Sequence, residues 1–323
     1  MNSPVAAVHR LDRAGPVVGV DLGGTKIAAA VVNEDGVPGP VVTVPTRAAE
    51  GPDAVLDAVA EAVGQATAQV RVHGTGTGLA GIGVGTAGAI DSGTGVVVSS
   101  TDTFPGWVGT NIADGLRDRL GPIGASVLND VDAHVLGESW RGAAIGVGSL
   151  LMVAAGTGIG GALMVDGRLV VGRHHLAGEI GHMPAVGADG LRCPCGRLGH
   201  LEALAAGPAI LRRYHALGGD PEVGDTRAVV ARAAAGDGTA TRSVTEAAAG
   251  LGRTVAGLVT TLDPDLVVVG GGLAQAGPLW WDAFESTLRA ELVEALADVG
   301  VVPAALGPVA AIIGAARPLF ELI

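Results

Sequence analysis

Lysine and cysteine are scarce in this 323-residue sequence, and each scarcity excludes a class of protein. Lys26 is the only lysine, and its flanking residues do not fit the GxxxxGK[ST] pattern of a P-loop. Two cysteines, Cys193 and Cys195, are too few for a disulfide framework and indicate a reducing compartment. The formal net charge of −12 argues against a broad nucleic-acid surface, which needs clustered lysine and arginine.

Long apolar runs are also absent, apart from one uncharged stretch at residues 142–165. That stretch is long enough to span a bilayer, but glycines interrupt it and half of it alternates like a strand. We therefore expect no membrane span. Residues 1–15 lack the apolar core of a signal peptide, so the sequence predicts a mobile tail there and a cytoplasmic protein.

The residues that are abundant indicate an α/β protein. Hydrophobic residues make up 48% of the chain, enough for a sizeable core, and the length suggests about two domains. Apolar runs predict strands at 17–21, 27–32, 41–44, 81–84, 126–128 and 266–269. Helical spacing predicts helices at 52–70, 131–140, 208–217, 239–262 and 312–320.

An opening motif recurs near the middle of the chain. Gly24–Ala30 aligns with Gly156–Ala162, and each copy predicts strand, Gly-Thr turn, strand. An internal duplication over two domains explains the likeness, although chance similarity between Gly-rich hairpins is an alternative. The second copy also fits GxGxxG, but a dinucleotide site requires a helix after the glycines, and here the pattern predicts a strand and a turn.

Both Gly-Thr turns are candidate phosphate sites, because such turns expose backbone N–H groups and a hydroxyl. Two equivalent loops suggest an oligophosphate held from both sides of a cleft. Asp21 ends its strand just before the first loop and could hold Mg²⁺ directly or through water. A turn-capping Asp is the alternative.

Asn129 and Asp130 end an apolar strand at the start of a predicted helix. Ligands bind at the strand carboxyl ends of α/β sheets, and a half-buried Asp130 could accept a hydroxyl proton as general base. A helix cap is the alternative, since Asn and Asp both favour that position.

The densest cluster of potential ligands lies in residues 172–202. Two thiolates and two imidazoles suit a tetrahedral zinc site, from His182, Cys193, Cys195 and His200. Structural thiols with unrelated histidines are the alternative, and His174 and His175 could compete as ligands. Glu179 and Glu202 flank the cluster and are either sugar-binding carboxylates or surface glutamates.

Taken together, these motifs resemble the ROK family of sugar kinases (repressors, open reading frames and kinases). The resemblance covers nearly the whole chain from about Val17. The motifs that carry it are Asp21–Lys26, Pro105–Trp107 with Asn111, Asn129–Asp130, Gly156–Gly161, Ala177–His182, Cys193–Gly199 and Gly270–Gly272.

The resemblance implies the duplicated ribonuclease-H-like (actin-like ATPase) fold, with two α/β domains around a nucleotide and sugar cleft. We expect an N-terminal domain at 16–128, completed by a C-terminal helix at 311–323. A C-terminal domain at 129–310 would carry a zinc loop at 182–200. The family commonly forms homodimers or homotetramers.

The resemblance also implies an ATP-dependent, glucokinase-like sugar kinase that phosphorylates a hexose hydroxyl, O6. Asp130 would be the general base and Asp21 would hold magnesium through water, with Mg-ATP as donor. The nucleotide would be bound by Gly23, Gly24, Thr25, Lys26, Gly156, Thr157, Gly158, Gly270, Gly271 and Gly272. The sugar would be bound by Asn111, Asn129, Glu179, His182 and Glu202. A structural zinc would be held by His182, Cys193, Cys195 and His200.

Two positions depart from the family pattern. His200 stands where the family usually has cysteine, which changes the expected zinc site to Cys₂His₂. His175 stands where the family often has a small residue, and we expect it to alter the rim of the pocket.

Other functions within the family remain open at this stage. N-acetylmannosamine and N-acetylglucosamine kinases share nearly the same motifs. An inactive sugar-binding protein would lack Asp130 or the Gly-Thr loops, and both are present. A repressor would carry a helix-turn-helix before the first strand, where only about 16 residues stand.

Overall fold

The computed structural model describes residues 15–71, 78–100 and 104–321, so the predicted tail at 1–15 lies outside the described residues except for Gly15. The strands are β1 Val17–Leu22, β2 Lys26–Val32, β3 Val42–Pro45, β4 Gly81–Thr86, β5 Ala89–Asp91, β6 Val96–Ser99, β7 Gly124–Asn129, β8 Leu150–Ala155, β9 Ile159–Val165, β10 Arg168–Leu169, β11 Leu266–Gly270 and β12 Gly300–Pro303. The helices are α1 Pro52–Arg71, α2 Ile112–Leu120, α3 Asp130–Arg141, α4 Leu201–Ala205, α5 Gly207–Ala216, α6 Thr226–Ala234, α7 Gly238–Leu262, α8 Pro278–Glu291 and α9 Ala310–Glu321. Short 3-10 helices lie at Ala48–Glu50, Ile180–His182, Gly272–Gln275, Glu294–Leu296 and Gly307–Val309.

The chain divides into two compact units. Unit 1 takes the described residues up to Gly146, together with Val171–Ala177 and the residues from Ala305 onward; unit 2 takes Val147–Val170 and Gly178–Ala304. These bounds differ from the domains expected at 16–128 and 129–310. The difference arises because α3 packs along α9, so that α3 belongs with the unit that α9 completes.

Unit 1 is built on a five-stranded sheet of order β3-β2-β1-β4-β7. The first three strands of the chain pair antiparallel, whereas β4 lies parallel to both β1 and β7. Helix α9 packs against β1 and β4, and α1 packs against β2 and β3. A Cβ at Gly19 would collide with the carbonyl oxygen of Ile312, and one at Gly83 with that of Ala315. The two glycines therefore set how closely α9 approaches the sheet.

Unit 2 repeats this plan with the sheet order β10-β9-β8-β11-β12. Again three consecutive strands pair antiparallel, and β11 lies parallel to both β8 and β12. The predicted duplication is confirmed, because each sheet has the ribonuclease-H-like order of a three-stranded meander extended by parallel strands.

The uncharged stretch at 142–165 is confirmed as sheet, since it contains β8 and β9. In the described ranges, none of the helices combines the length and apolarity needed to cross a bilayer.

A buried carboxylate on α3 binds the backbone just before the C-terminal helical segment of unit 1. Glu138, on α3, is fully buried. Its Oε2 accepts hydrogen bonds from the backbone N–H of Ala143 (2.8 Å) and Ala305 (3.1 Å), and Oε1 accepts one from Leu306 (2.9 Å). Because residues 305 and 306 directly precede the 3-10 turn that leads into α9, Glu138 satisfies donors that the helix start leaves unpaired.

Replacing Glu138 with alanine removes the acceptor from three backbone N–H groups. We expect Glu138→Ala to lower the free energy of unfolding by about 3 kcal/mol, and Glu138→Gln to lower it less because an amide oxygen remains. Urea unfolding followed by circular dichroism measures both. Glu34→Ala, at an exposed turn position, is the control; a loss of stability at Glu138 no larger than at Glu34 would contradict this role.

Candidate functional site

The candidate site residues of unit 1 lie at the carboxyl ends of three neighbouring strands. The parallel register places Leu22 opposite Thr86, and Thr86 opposite Asn129. Asp21 on β1 and Asp130 at the start of α3 therefore lie at one edge of the sheet, where α/β proteins bind ligands.

Asp21 is electrostatically linked to Asp130. Burial is the main cause that raises the pKa of the Asp21 carboxyl above its ordinary value, and the negative charge of Asp130 raises it further. His134 and Lys26 oppose this increase in pKa. A cation beside Asp21 would stabilise its charged form, so this pair of carboxylates is chemically suited to a divalent metal.

The first Gly-Thr loop is a tight turn between β1 and β2. The N–H of Gly23 donates to the carbonyl oxygen of Lys26 at 3.1 Å, which closes the turn. Thr46, which is fully buried, anchors it: its hydroxyl donates to Gly23 O at 2.6 Å and its N–H to Thr25 O at 3.2 Å. Of the predicted nucleotide-binding residues, Thr25 and Lys26 are exposed and Gly23 and Gly24 are half-buried.

Asn129 is the N-cap of α3, so the cap that the sequence left as an alternative is realised at this residue. Its Oδ1 accepts hydrogen bonds from the N–H groups of Val131 (2.8 Å) and Asp132 (3.3 Å), and its Nδ2 donates to Gly88 O at 3.0 Å. Asp130 follows as the first helical residue, and its Oδ1 accepts from the Val131 N–H at 3.0 Å.

Asn111 is the N-cap of α2, in the same unit. Its Oδ1 accepts from the Asp114 N–H at 3.0 Å, and its Nδ2 donates to the Asp114 carboxylate at 2.7 Å. A side-chain amide has two donors and two acceptor lone pairs, so these bonds leave capacity for a ligand hydroxyl.

Unit 2 brings its two glycine segments together. The turn Gly156–Gly158 joins β8 to β9, and Gly271 follows β11 with a φ of +86°. A Cβ at Gly271 would collide with the carbonyl oxygen of Ala155, and a Cβ at Gly156 would lie 3.6 Å from the N atom of Gly272. Glycine is therefore required for the segment 270–272 to pack onto the end of β8.

Glu202 connects the second glycine loop to α4. Its Oε2 accepts a hydrogen bond from the N–H of Ile159 at 2.9 Å, and a Cβ at Gly158 would lie 2.7 Å from the same oxygen. The sequence predicted a sugar-binding carboxylate here, and the structure adds a bond to the predicted phosphate loop.

The predicted metal ligands converge at one point in unit 2. Their four ligand atoms lie within 4.8 Å of one another, from His182, Cys193, Cys195 and His200. Cys193 Sγ lies 3.6 Å from His182 Nδ1, and Cys195 Sγ lies 3.3 Å from His200 Nδ1. Zinc bond lengths of about 2.3 Å to sulfur and 2.0–2.1 Å to nitrogen give sulfur–nitrogen edges of roughly 3.5 Å in a tetrahedron, so this donor set fits zinc.

Burial raises the pKa of the Cys193 thiol to about 11, so this thiol is protonated when no cation is bound. Metal binding therefore releases a proton here, since the thiolate is the ligand. His174 and His175, considered as competing ligands, are not members of the cluster.

The second ring nitrogen of His182 faces a carboxylate. His182 Nε2 lies 3.7 Å from Oε2 of Glu179, the residue that precedes the 3-10 turn Ile180–His182. Both side chains are about one-third exposed, at 33% and 37%. One histidine thus places a candidate metal site beside a carboxylate that a ligand can reach.

Thr46 and His134 were missed by the sequence analysis. His134 lies one helical turn after Asp130, and its Nδ1 lies 2.8 Å from the Asp130 carbonyl oxygen. The spacing of four residues after Asp130 was the available signal for His134. Thr46 offered none, because its contact with the loop comes from strand pairing.

Known proteins similar to this chain share its length and its fold. A glucokinase of Thermotoga maritima is 33% identical over 324 residues, covering 95% of this chain and 98% of its own. An N-acetylmannosamine kinase of Citrobacter koseri is 32% identical over 257 residues, covering 80% and 83%. The crystal structure of a ROK family glucokinase from Streptomyces griseus, in complex with glucose and AMPPNP, is 30% identical, covers 94% and 98%, and superposes with a TM-score of 0.79.

The family match extends over both units. Residues 17–320 match the ROK family, and this range includes all the candidate site residues described above in both units. The chain belongs to the ROK family.

Proposed function

We propose that this protein is an ATP-dependent hexose kinase that transfers the γ-phosphate of ATP to a sugar hydroxyl, O6. The observation that carries the proposal is that two electrostatically interacting carboxylates, Asp21 and Asp130, lie at the strand ends, and Asp21 directly precedes the first Gly-Thr loop. The glucokinase of Thermotoga maritima and the glucose- and AMPPNP-bound enzyme of Streptomyces griseus support this activity.

Asp130 is the proposed general base. Its side chain lies at the N-terminus of α3, at the carboxyl edge of the sheet, and a carboxylate is a group that can accept a hydroxyl proton. The proton of the sugar hydroxyl passes to Asp130 as the hydroxyl oxygen attacks the γ-phosphorus, and ADP leaves with the β–γ bridging oxygen.

The glycine loops are the proposed phosphate-binding elements. Gly23, Gly24, Thr25 and Lys26 in unit 1, and Gly156, Thr157 and Gly158 in unit 2, offer backbone N–H groups, hydroxyls and one ammonium. By resemblance to the family we assign Gly270, Gly271 and Gly272 to the adenosine; this segment packs against the end of β8 beside the second loop. Asp21 would hold magnesium through water, and that ion would neutralise charge on the phosphates.

The proposed sugar-binding residues are side chains with hydrogen-bonding capacity: Asn111, Asn129, Glu179, His182 and Glu202. Asn111 and Asn129 are held in place as helix caps, and Glu202 by its bond to Ile159 N–H. Fixed side chains bind hydroxyls at a smaller cost in conformational entropy than mobile ones.

An N-acetylhexosamine is the second candidate for the acceptor sugar. The Citrobacter koseri N-acetylmannosamine kinase is nearly as similar in identity as the glucokinase. The two classes of sugar differ at C2, so a direct comparison of turnover on glucose and N-acetylmannosamine separates them.

Zinc is the proposed structural metal at His182, Cys193, Cys195 and His200. The ion would fix the loop that carries His182, and thereby the imidazole that faces Glu179. Thiolate ligands require reduced cysteines, so we propose a cytoplasmic enzyme, and by resemblance to its family a homodimer or homotetramer.

Asp130→Asn keeps the helix start but removes the base. We expect kcat to fall by about 10²–10⁴-fold, while the sugar dissociation constant changes little. A coupled ADP-release assay and isothermal titration calorimetry measure the two quantities. Asp132→Asn, a carboxylate in the same helical turn, is the control; full turnover in Asp130→Asn would contradict the assignment.

We expect Asp21→Asn to raise stability and to lower activity. The pKa of Asp21 is higher in the folded chain than in the unfolded chain. The free energy of unfolding therefore falls as the pH rises above the unfolded pKa, because the folded chain must then hold a charged carboxylate. We expect the asparagine variant to be more stable at pH 7 by about 0.5–2 kcal/mol, the gain to vanish below about pH 4, and kcat to fall. Denaturation at both pH values measures this, with exposed Asp35→Asn as control; equal gains at both pH values would refute it.

The metal centre should hold about one zinc per chain. We expect His200→Ala to lower zinc affinity by more than about tenfold, and His200→Cys to retain it, because cysteine supplies an equivalent ligand. Elemental analysis and chelator competition measure zinc content and affinity, with His174→Ala as the control outside the cluster. Folded, active protein without zinc would show that the cluster has another role.

A further inference from the structure

His175 adopts a backbone conformation that a histidine rarely takes. Its φ is +59°, in the left-handed region, which costs free energy for a residue with a Cβ. The segment Val171–Ala177 around it belongs to unit 1, although the residues on both sides of the segment belong to unit 2. Hydrogen bonds from His175 N–H to Gly172 O (3.5 Å) and from Ala177 N–H to Val171 O (3.3 Å) close the segment into a loop.

The imidazole of His175 faces the β5–β6 hairpin of the same unit. His175 Nε2 lies 3.8 Å from Oδ1 of Asp91, with the two side chains 26% and 31% exposed. Within the described ranges, Nδ1 of the ring is buried and has no hydrogen-bond partner. The carboxylate that faces this imidazole is therefore that of Asp91.

Asp91 is itself rigidly held. Its Oδ1 accepts from the Gly93 N–H at 3.0 Å, and its Oδ2 from the Thr94 hydroxyl at 2.8 Å. The Thr94 hydrogen bond is the main cause that lowers the pKa of Asp91, so the carboxylate stays charged.

The hairpin that carries Asp91 also carries the anchors of two proposed sugar ligands. Val96 on β6 forms a bridge to Asn111, and Gly88, just before β5, accepts the side-chain hydrogen bond of Asn129. On the other side of the contact, the chain runs from His175 to Glu179 in four residues. The His175–Asp91 pair thus ties the loop 171–177 to the hairpin that holds Asn111 and Asn129.

We propose that His175 is a positioning residue for the acceptor sugar, which fastens the loop 171–177 to the β5–β6 hairpin and so steadies the hairpin to which Asn111 and Asn129 are attached. The effect on sugar affinity rests on the proposed function, whereas the fastening of the loop does not. The left-handed backbone of His175 supports this role, because strained φ values persist where the surrounding structure enforces them and are concentrated at functional sites.

The test uses His175→Gly, because glycine accepts the left-handed backbone and only the imidazole is lost. His174→Gly is the matched control, since His174 is an exposed neighbour in the same loop and its replacement gives the chain similar freedom. Asp91→Asn and the double variant complete a cycle that isolates the pair.

Hydrogen exchange in peptides covering residues 171–178 measures the fastening without any substrate. We expect exchange to be about fivefold faster in His175→Gly and in Asp91→Asn than in the parent chain, with no further increase in the double variant. Equal exchange in His175→Gly and His174→Gly, or additive effects of the two substitutions, would overturn the proposal.

Glucose titration and steady-state kinetics measure the consequence for the sugar. We expect His175→Gly to raise the glucose Kd and KM about fivefold, the effect of a partly buried pair, while kcat, the KM for ATP and the zinc content change less than about twofold. An equal rise in both KM values would overturn sugar positioning. If the parent chain binds and phosphorylates none of the hexoses, the proposed function fails, and the exchange data alone decide whether His175 fastens the loop.

Discussion

Parallel pairing in the two sheets is the constraint from which the site follows. β4 pairs parallel with β1 and β7, and β8 with β11, so that each sheet presents its carboxyl ends along one edge. Parallel strands must be covered on both faces, and in unit 1 glycines at 19 and 83 let α9 approach the strands closely. The Gly-Thr turns that follow β1 and β8 therefore lie at the edge of each sheet where α/β proteins bind ligands.

Both sheets have the same order of strands, but the side chains at their edges differ in chemistry. Unit 1 holds the two carboxylates, Asp21 and Asp130, whereas unit 2 holds the Cys/His cluster and the loop-bound Glu202. The duplication supplied two Gly-Thr loops, and side chains added to each copy account for the proposed division into a base in unit 1 and a metal centre in unit 2. The change from cysteine to His200 leaves a donor set that still fits zinc.

Part of the secondary structure could be predicted from the sequence, namely the strands β1 to β4, β7 and β11 and the helices α1, α3, α5, α7 and α9. The convergence of the four candidate metal ligands could be predicted as well. Apolar periodicity and the glycine motifs are local signals, and they located β1, β2, β11 and α7 closely. The bounds of the two units could not be predicted, because they depend on the packing of α3 along α9, residues far apart in the chain. Thr46 escaped notice for the same reason, as did the left-handed backbone of His175, which no residue-type preference indicates.

The central claim is that this chain phosphorylates a hexose with ATP, and a coupled ADP-release assay tests it most directly. Mg-ATP would be supplied with glucose, mannose, fructose, N-acetylglucosamine and N-acetylmannosamine in turn, each against a blank without sugar. The account predicts sugar-dependent ADP release, with glucose favoured and a hexose 6-phosphate as the product. Folded, zinc-loaded protein that releases ADP with none of these sugars would contradict it.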